Sequence, residues 1–437
     1  MFGTDGIRGP VGTSPFTYTQ LHQLGKAIGK WITTTHGAGV HVLLGHDTRL
    51  SCAWVKAALK SGLLMHPIHL KDAGVFPTPC VVQRTIQESS IVCGIIVSAS
   101  HNPFEDNGIK IIDGVKGKLS LADEQCITSY FAEEQVINYT QLGTDTPDTK
   151  SAQAYVDSIC HFFETDLLTG KTIVLDCAHG ATYALAPQIF RQLGAEVITI
   201  GDQPNGININ QDHGALHLER LQQKVLDCGA DAGFAFDGDG DRVIAVNSKG
   251  EIKDGDDILV LLHTHPQYST ESTIVGTIMS NQGLAQHITK KGCTLARTPV
   301  GDKYIARYLN EHHLMLGGEQ SGHIICNDYL CSGDGIFTAL RVMQAIHYNN
   351  NPTMRTFCHM PQQLTNVRIK QKRALTEEPF ASIIKKYNER LKEGRILVRY
   401  SGTEPLLRVM VEESDAHRAT DISKQCAKEL QQALEGI

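Results

Sequence analysis

The sequence predicts an α/β protein made of three related α/β domains and a smaller C-terminal α+β domain. Two patterns carry that prediction. A short apolar strand, a helical stretch and a second strand recur in the same order three times along the chain. After Asn351-Pro352 the order changes to helix, two strands and helix. The length of 437 residues agrees with this, because it exceeds what one hydrophobic core usually fills.

The first repeat is "VHVLLGHDTR", an apolar run ending in a polar turn, then "LSCAWVKAALKSGLLM" with helical periodicity, then the strand "PIHL". "KTIVLDCAHG", "ATYALAPQIFRQLG" and "AEVITI" repeat it, as do "STIVGTIMSN", "QGLAQHITKKG" and "CTLART". Each set reads as a right-handed α/β crossover. The last region reads as helical "PFASIIKKYNERLKEG", strands "RILVRYS" and "LLRVMVEES", and helical "ATDISKQCAKELQQAL". That order suits an antiparallel sheet with helices on one face. Polar, Gly and Pro residues collect near 145–150, 247–250 and 349–354 and mark linkers. The expected domains are therefore 1–148, 149–248, 249–352 and 353–437.

Composition narrows the function. Hydrophobic residues make up 41% and charged residues 20%, with a net charge of −7. No broad basic field for nucleic acid is expected, although a few arginines in a cleft can still bind a small anion. No apolar run is long enough to span a membrane, and the start lacks a signal-peptide pattern. The 12 cysteines include no C-x-x-C pair, which argues for reduced, mostly buried thiols in a cytoplasmic enzyme.

Four loops carry the chemistry. In "SASHNPFEDNGIK" Ser100 stands beside His101 before an Asn-Pro turn, with Lys110 following. A serine hydroxyl is a weak nucleophile without a neighbouring base or a pre-loaded group. Lys110 suits phosphate charge or proton transfer. The plain alternative is a surface turn.

In "FDGDGDR" Asp237, Asp239 and Asp241 alternate. A near-extended backbone would point all three to one side, with Gly238 and Gly240 letting the oxygens converge. A hard divalent cation removes their repulsion. A calcium EF-hand does not fit, because its sixth and twelfth positions hold Arg242 and Ser248 instead of Gly and Glu. A solvated acidic turn is the alternative.

In "GGEQSGHI" Glu319, Ser321 and His323 alternate and are expected to face one polyhydroxylated ligand, against a Gly-rich hairpin with polar residues outward. In "RYSGTEPLLRV" Arg399 and Arg408 offer fork-shaped donors, and Ser401, Gly402 and Thr403 offer a small anion nest. Two strand-end arginines on a wet face would be the bland case. "TGKT" at Thr169–Thr172 lacks the upstream glycine of a P-loop, and neither G-x-S-x-G nor G-x-G-x-x-G occurs. His263, His265, His312 and His313 read as ordinary polar residues.

Cation, serine, sugar-reading loop and anion site together describe phosphoryl transfer on a sugar. On these motifs, with "FGTDGIRG" at the start and "NGININ" at 205–210, the sequence resembles the α-D-phosphohexomutase superfamily along nearly its whole length. "GEQSGH", with Gln320, resembles its bacterial glucosamine branch. The resemblance implies phosphoglucomutase-type α/β domains and a TATA-box-binding-protein-like last domain around a central cleft. It implies a phosphoserine at Ser100, and one Mg²⁺ at Asp237, Asp239 and Asp241 with Ser100. It also implies active-site roles for Arg8, His101, Lys110, Arg242 and His323. Glu319, Ser321 and His323 would then meet the sugar, and Arg399, Ser401, Gly402, Thr403 and Arg408 its phosphate.

The implied reaction interconverts glucosamine 6-phosphate and glucosamine 1-phosphate through a 1,6-bisphosphate, feeding UDP-N-acetylglucosamine and cell-wall synthesis. Glucosamine or glucose 1,6-bisphosphate would be the activator. Phosphomannomutase or phosphoglucomutase activity, or a metal-dependent sugar-phosphate phosphatase, are the alternatives. The partners expected are small sugar phosphates, neither nucleic acid nor membrane, with a homodimer compatible. Relatives carry a few residues before the first motif, so a short first strand is expected here.

Overall fold

The computed structural model describes residues 1–3, 6–133, 141–401 and 405–435. They pack as two compact units. One comprises Met1–Met279 with Ala296–Thr356, the other Ser280–Leu295 with Phe357–Ile437.

The first unit holds three sheets. The first sheet is built from β1 (Ile7–Pro10), β2 (Val40–His46), β3 (Ile68–Val75), β4 (Ile91–Val97), β5 (Asp106–Asp113), β6 (Gly117–Lys118) and β7 (Thr144–Pro147). Its order is β1-β5-β4-β2-β3-β7, with β6 beside β5. Strands β4, β2, β3 and β7 are parallel, whereas β5 and β1 extend the sheet antiparallel. The central strands β2 and β4 are apolar runs because helices cover both faces. The helix Tyr18–His36 is capped by Thr17 and buries Leu21, Leu24, Ile28, Trp31 and Ile32. It crosses the helix Cys52–Leu63 at two glycines, where a Cβ on Gly25 would lie 2.1 Å from the Leu59 carbonyl. The segment read as a linker at 145–150 starts instead in the edge strand β7, whose Pro147 an edge tolerates. β1 is short, four residues.

The second sheet contains β8 (Thr172–Asp176), β9 (Glu196–Ile200), β10 (Ala232–Phe236), β11 (Val243–Asn247) and β12 (Ile252–Lys253) in the order β12-β11-β10-β8-β9. The boundary read at 248/249 falls inside the β11–β12 hairpin, because Ala245 pairs with Lys253. The third sheet contains β13 (Thr273–Thr277), β14 (Thr294–Thr298, counted in the first unit from Ala296), β15 (Leu316–Gly318) and β16 (Ile324–Cys326) in the order β14-β13-β15-β16. The helix Gln282–Lys290, read with the third α/β domain, packs in the second unit.

The second unit carries an antiparallel sheet of β17 (Gln362–Arg368), β18 (Arg395–Tyr400) and β19 (Leu406–Glu412), ordered β17-β19-β18. Its core sets Val367, Leu407, Val409 and Val411 against Ile383, Ile422, Cys426 and Leu430 from the helices Phe380–Asn388 and Ala416–Glu435. Among the described residues, no helix is long and apolar enough to cross a membrane.

Candidate active site

Loops at the ends of β4 and β10 meet in the first unit, as the ends of parallel strands commonly do in α/β folds. Ser100 follows β4 and is fully buried, with φ 53°, a left-handed conformation that non-glycine residues rarely adopt. Its Oγ donates to Asp237 Oδ2 at 2.6 Å and lies 3.2 Å from His101 Nδ1. Burial, then the nearby Arg242 and Arg8 guanidiniums, push the His101 imidazole down to about 4. His101 is therefore neutral near pH 7.

The acidic loop between β10 and β11 is a tight hairpin turn, not the near-extended run its alternation suggested. Gly240, at φ 76°, bends the chain, and Asp237 Oδ1 accepts the Gly240 and Arg242 amides at 3.1 and 3.2 Å. The carboxylates converge all the same. One oxygen from each of Asp237, Asp239 and Asp241 lies within 4.8 Å of the others, and all three residues are buried. Asp239 Oδ2 accepts from Thr78 Oγ1 at 2.6 Å and Lys110 Nζ at 2.9 Å, and Asp241 Oδ2 accepts from Lys110 at 3.0 Å. Asp239 Oδ1 and Asp241 Oδ1 are buried and accept no hydrogen bond among the described residues. A buried cluster of three carboxylates, two of them with an oxygen that accepts no hydrogen bond, suits a hard, oxygen-seeking divalent cation.

Electrostatics pull the loop's acids apart. Burial, then the neighbouring Asp241 and Asp239, raise the Asp237 carboxyl well above its ordinary range. Burial also acts to raise Asp241, but Lys110 and His323 outweigh it and hold Asp241 well below that range. His323 is raised in turn, because Asp241 outweighs its burial. Burial opposes the Arg242 charge, yet Asp241 and Asp237 raise its guanidinium further.

Arg8 and Lys110 reach this region from paired strands. Arg8 on β1 lies opposite Gly108 on β5, two residues before Lys110 and on the same face. Gly108 is required there, since a Cβ would lie 2.3 Å from the Ser98 carbonyl and 3.2 Å from Arg8 Cγ.

The "GEQSGH" segment is the hairpin turn between β15 and β16. Glu319 Oε1 accepts the Gly301 amide at 2.9 Å. His323 Nδ1 lies 3.6 Å from Asp241 Oδ1 and its Nε2 3.6 Å from Asp302 Oδ2. Ser321 is exposed, and Gln320 donates to Asp254 at 3.0 Å. The structure thus brings Ser100, His101, Lys110, Arg242 and His323 to the acidic loop.

Arg399 and Arg408 lie in the second unit as register partners on β18 and β19. Burial, then the Arg408 charge opposite, lower the Arg399 guanidinium. Two cations held side by side are suited to a shared anion. Ser401 is buried. Gly402 and Thr403 lie outside the described residues, as do Thr4 and Asp5 of the first motif.

Several residues escaped the sequence reading. Thr78 binds Asp239 through both its hydroxyl and its amide. Asp302 and Lys303, in "TPVGDKY", also approach the site. Asp302 sits by His323 and pairs with Lys118, and Lys303 lines a small cavity of about 50 Å³ with Lys110 and Lys118. A Gly-Asp-Lys run at a helix start was the available signal.

A buried serine bonded to an acidic triad, at the strand ends of repeated α/β domains, defines the class: a phosphohexomutase fold. The family profiles agree with it. Those described as phosphoglucomutase/phosphomannomutase alpha/beta/alpha domains I, II and III match residues 1–137, 153–250 and 254–363, and the C-terminal domain matches 364–429. A phosphoglucosamine mutase of Marinomonas sp. is 40% identical over 98% of this chain and 97% of its own. That of Hydrogenovibrio crunogenus is 41% identical over 94% and 93%. The chain belongs to the phosphoglucosamine mutase family. Among solved structures, a phosphoglucomutase/phosphomannomutase family protein from Burkholderia thailandensis superposes with TM-score 0.80 at 22% identity, covering 99% of this chain and 97% of that one. The Aspergillus fumigatus N-acetylphosphoglucosamine mutase, in complex with GlcNAc-6P and magnesium, superposes with TM-score 0.70 at 16% identity, covering 99% and 96%. Both show the fold.

Proposed function

We propose that this chain interconverts glucosamine 6-phosphate and glucosamine 1-phosphate, with Ser100 carrying the phosphoryl group. The observation that carries the reading is the 2.6 Å bond from Ser100 Oγ to Asp237, the first carboxylate of the buried triad. A nucleophile and a cation-binding set in direct contact suit phosphoryl transfer, where positioning and charge neutralisation do most of the work. Asp237, Asp239 and Asp241 would hold Mg²⁺, which neutralises charge on the phosphoryl group in flight.

Ser100 gives its phosphoryl group to the free hydroxyl of the sugar monophosphate. After the resulting 1,6-bisphosphate turns over, Ser100 takes back the other phosphate, and the isomer leaves. Lys110, 2.9 Å from Asp239 Oδ2, moves the proton of the sugar hydroxyl. Arg8, His101 and Arg242 bring donors and positive charge close to Ser100 and the acidic loop. Glu319 and His323 orient the sugar. Arg399, Ser401, Gly402, Thr403 and Arg408 hold the phosphate that is not reacting. A guanidinium and backbone anchor tolerates two orientations of the sugar.

Intact mass of the purified chain, mapped to its residue, tests this directly. A phosphate adduct on Ser100 and a Ser100→Ala chain that binds substrate without isomerising it are expected. Retained turnover in that variant would falsify the assignment. Higher rates on glucose or mannose phosphates would move the substrate, and free phosphate released without isomer would make the chain a phosphatase.

A further inference from the structure

The strained backbone of Ser100 is held at both of its polar groups. Its amide donates to Ser98 Oγ at 2.9 Å, and Ser98 Oγ donates to Asp47 Oδ2 at 2.6 Å. Its carbonyl accepts from Arg49 Nη2 and from Asn210 Nδ2, each at 2.9 Å. Both donors also reach the Asn102 carbonyl, at 2.8 and 3.1 Å. Arg49 goes further. Its Nη1 donates to the Pro103 carbonyl and, at 3.1 Å, to that of Asp106, and its Nε donates to Asp47 Oδ2 at 2.8 Å. All five N–H groups of a guanidinium are thereby engaged, in a side chain with 0% exposure. Three of the acceptors are carbonyls of the turn that carries Ser100, and a fourth is that of Asp106, where the turn enters β5.

The turn is also pressed against the acidic loop. A Cβ on Gly238 would lie 2.6 Å from the Ser100 carbonyl and 2.9 Å from Asn210 Nδ2. The carbonyl that Arg49 and Asn210 grip is thus the point where the serine turn abuts the carboxylate loop. Shifting that carbonyl rotates Ser100 and moves its Oγ relative to Asp237.

We propose that Arg49, braced by Asp47 and joined by Asn210, is the positioning residue that aims Ser100 Oγ at the acidic triad. Arg49 touches no reacting atom and acts through the Ser100 backbone. The inference rests on Ser100 as the phosphoryl carrier. A lysine at 49 would keep the charge but has three donors on a point-like head, which cannot span the four carbonyls and Asp47. Asn210→Ala removes the second grip and leaves Arg49 in place.

The test is a single-turnover measurement on the full chain. Wild type, Arg49→Lys and Asn210→Ala are each loaded with glucose 1,6-bisphosphate and mixed with saturating glucosamine 6-phosphate, and loss of the Ser100 adduct is followed by rapid-quench mass spectrometry. Misplacement of a reacting group by about 1 Å costs on the order of 100-fold, so that drop in rate constant is expected for Arg49→Lys and about 10-fold for Asn210→Ala. A merely stabilising clamp lowers the amplitude, because less protein folds and loads, and leaves the rate constant alone. Rate constants within about twofold of wild type in both variants overturn the proposal. If wild type takes no adduct on Ser100, the carrier assignment itself fails and the proposal falls with it.

Discussion

Ser100 Oγ donates a 2.6 Å hydrogen bond to Asp237 Oδ2 across 137 residues of chain. Asp237 also folds its own loop, since its other oxygen accepts the Gly240 and Arg242 amides. One carboxylate therefore shapes the acidic turn and meets the serine. These duties are separable, because an asparagine oxygen can still accept the two amides.

Asp237→Asn should fold as wild type does yet bind Mg²⁺ weakly. It loses one negative charge from a set whose other members, Asp239 and Asp241, already share Lys110. The expected loss is roughly 100-fold or more in kcat, with the Mg²⁺ concentration for half-maximal rate shifted upward. Melting curves check that the fold is intact. A Mg²⁺ dependence like that of wild type would remove Asp237 from the metal set.

The α/β repeats were legible because parallel strands covered on both faces read as apolar runs, as in β2, β8 and β13. The acidic loop was legible as composition but not as shape. Its alternation copies a strand's period, and only the left-handed Gly240 turns it into a hairpin. β17 was missed because, of "QQLTNVR", only Val367 is fully buried. Arg49 was missed for a different reason. Its partners are backbone carbonyls some fifty residues away, and a carbonyl leaves no mark on sequence. Glu319, Ser321 and His323 were legible as an alternating polar motif, and the hairpin that carries all three was the weighed alternative.

Asp334 gives a prediction for pH. It caps the helix Gly335–Tyr348, accepts the Phe337 amide at 3.0 Å, and receives the Tyr155 and Tyr329 hydroxyls at 2.9 and 3.1 Å. Burial outweighs those bonds and pushes its carboxyl up from 3.8 to about 6. Between these values the folded chain holds more protons here than the unfolded chain, so this contribution to stability falls as pH rises through the window. The full difference is on the order of 3 kcal/mol. Asp334→Asn has no such proton to lose. Urea unfolding midpoints at pH 4.5, 5.5, 6.5 and 7.5 should therefore show the variant gaining on wild type as pH rises, levelling off above about 6. Parallel curves for the two proteins would mean that Asp334 titrates at its ordinary value.

Arg408 tests the second unit. It faces Arg399 across the β18–β19 pair, and the two guanidinium charges repel each other. A bound phosphate relieves that repulsion equally in the ground state and in the transition state, because the anchored phosphate does not react. Interactions common to both states lower KM and leave kcat alone. Arg408→Ala is therefore expected to raise KM for glucosamine 6-phosphate roughly 10- to 100-fold, with kcat within about threefold, given that a charge-assisted hydrogen bond contributes about 1.5–3 kcal/mol. Arg408→Lys should recover only part of the loss, since a lysine keeps the charge without the fork. Steady-state rates over a wide substrate range separate the two parameters. A fall in kcat at unchanged KM would place Arg408 at the phosphate in transfer, and the anchor would have to be sought elsewhere.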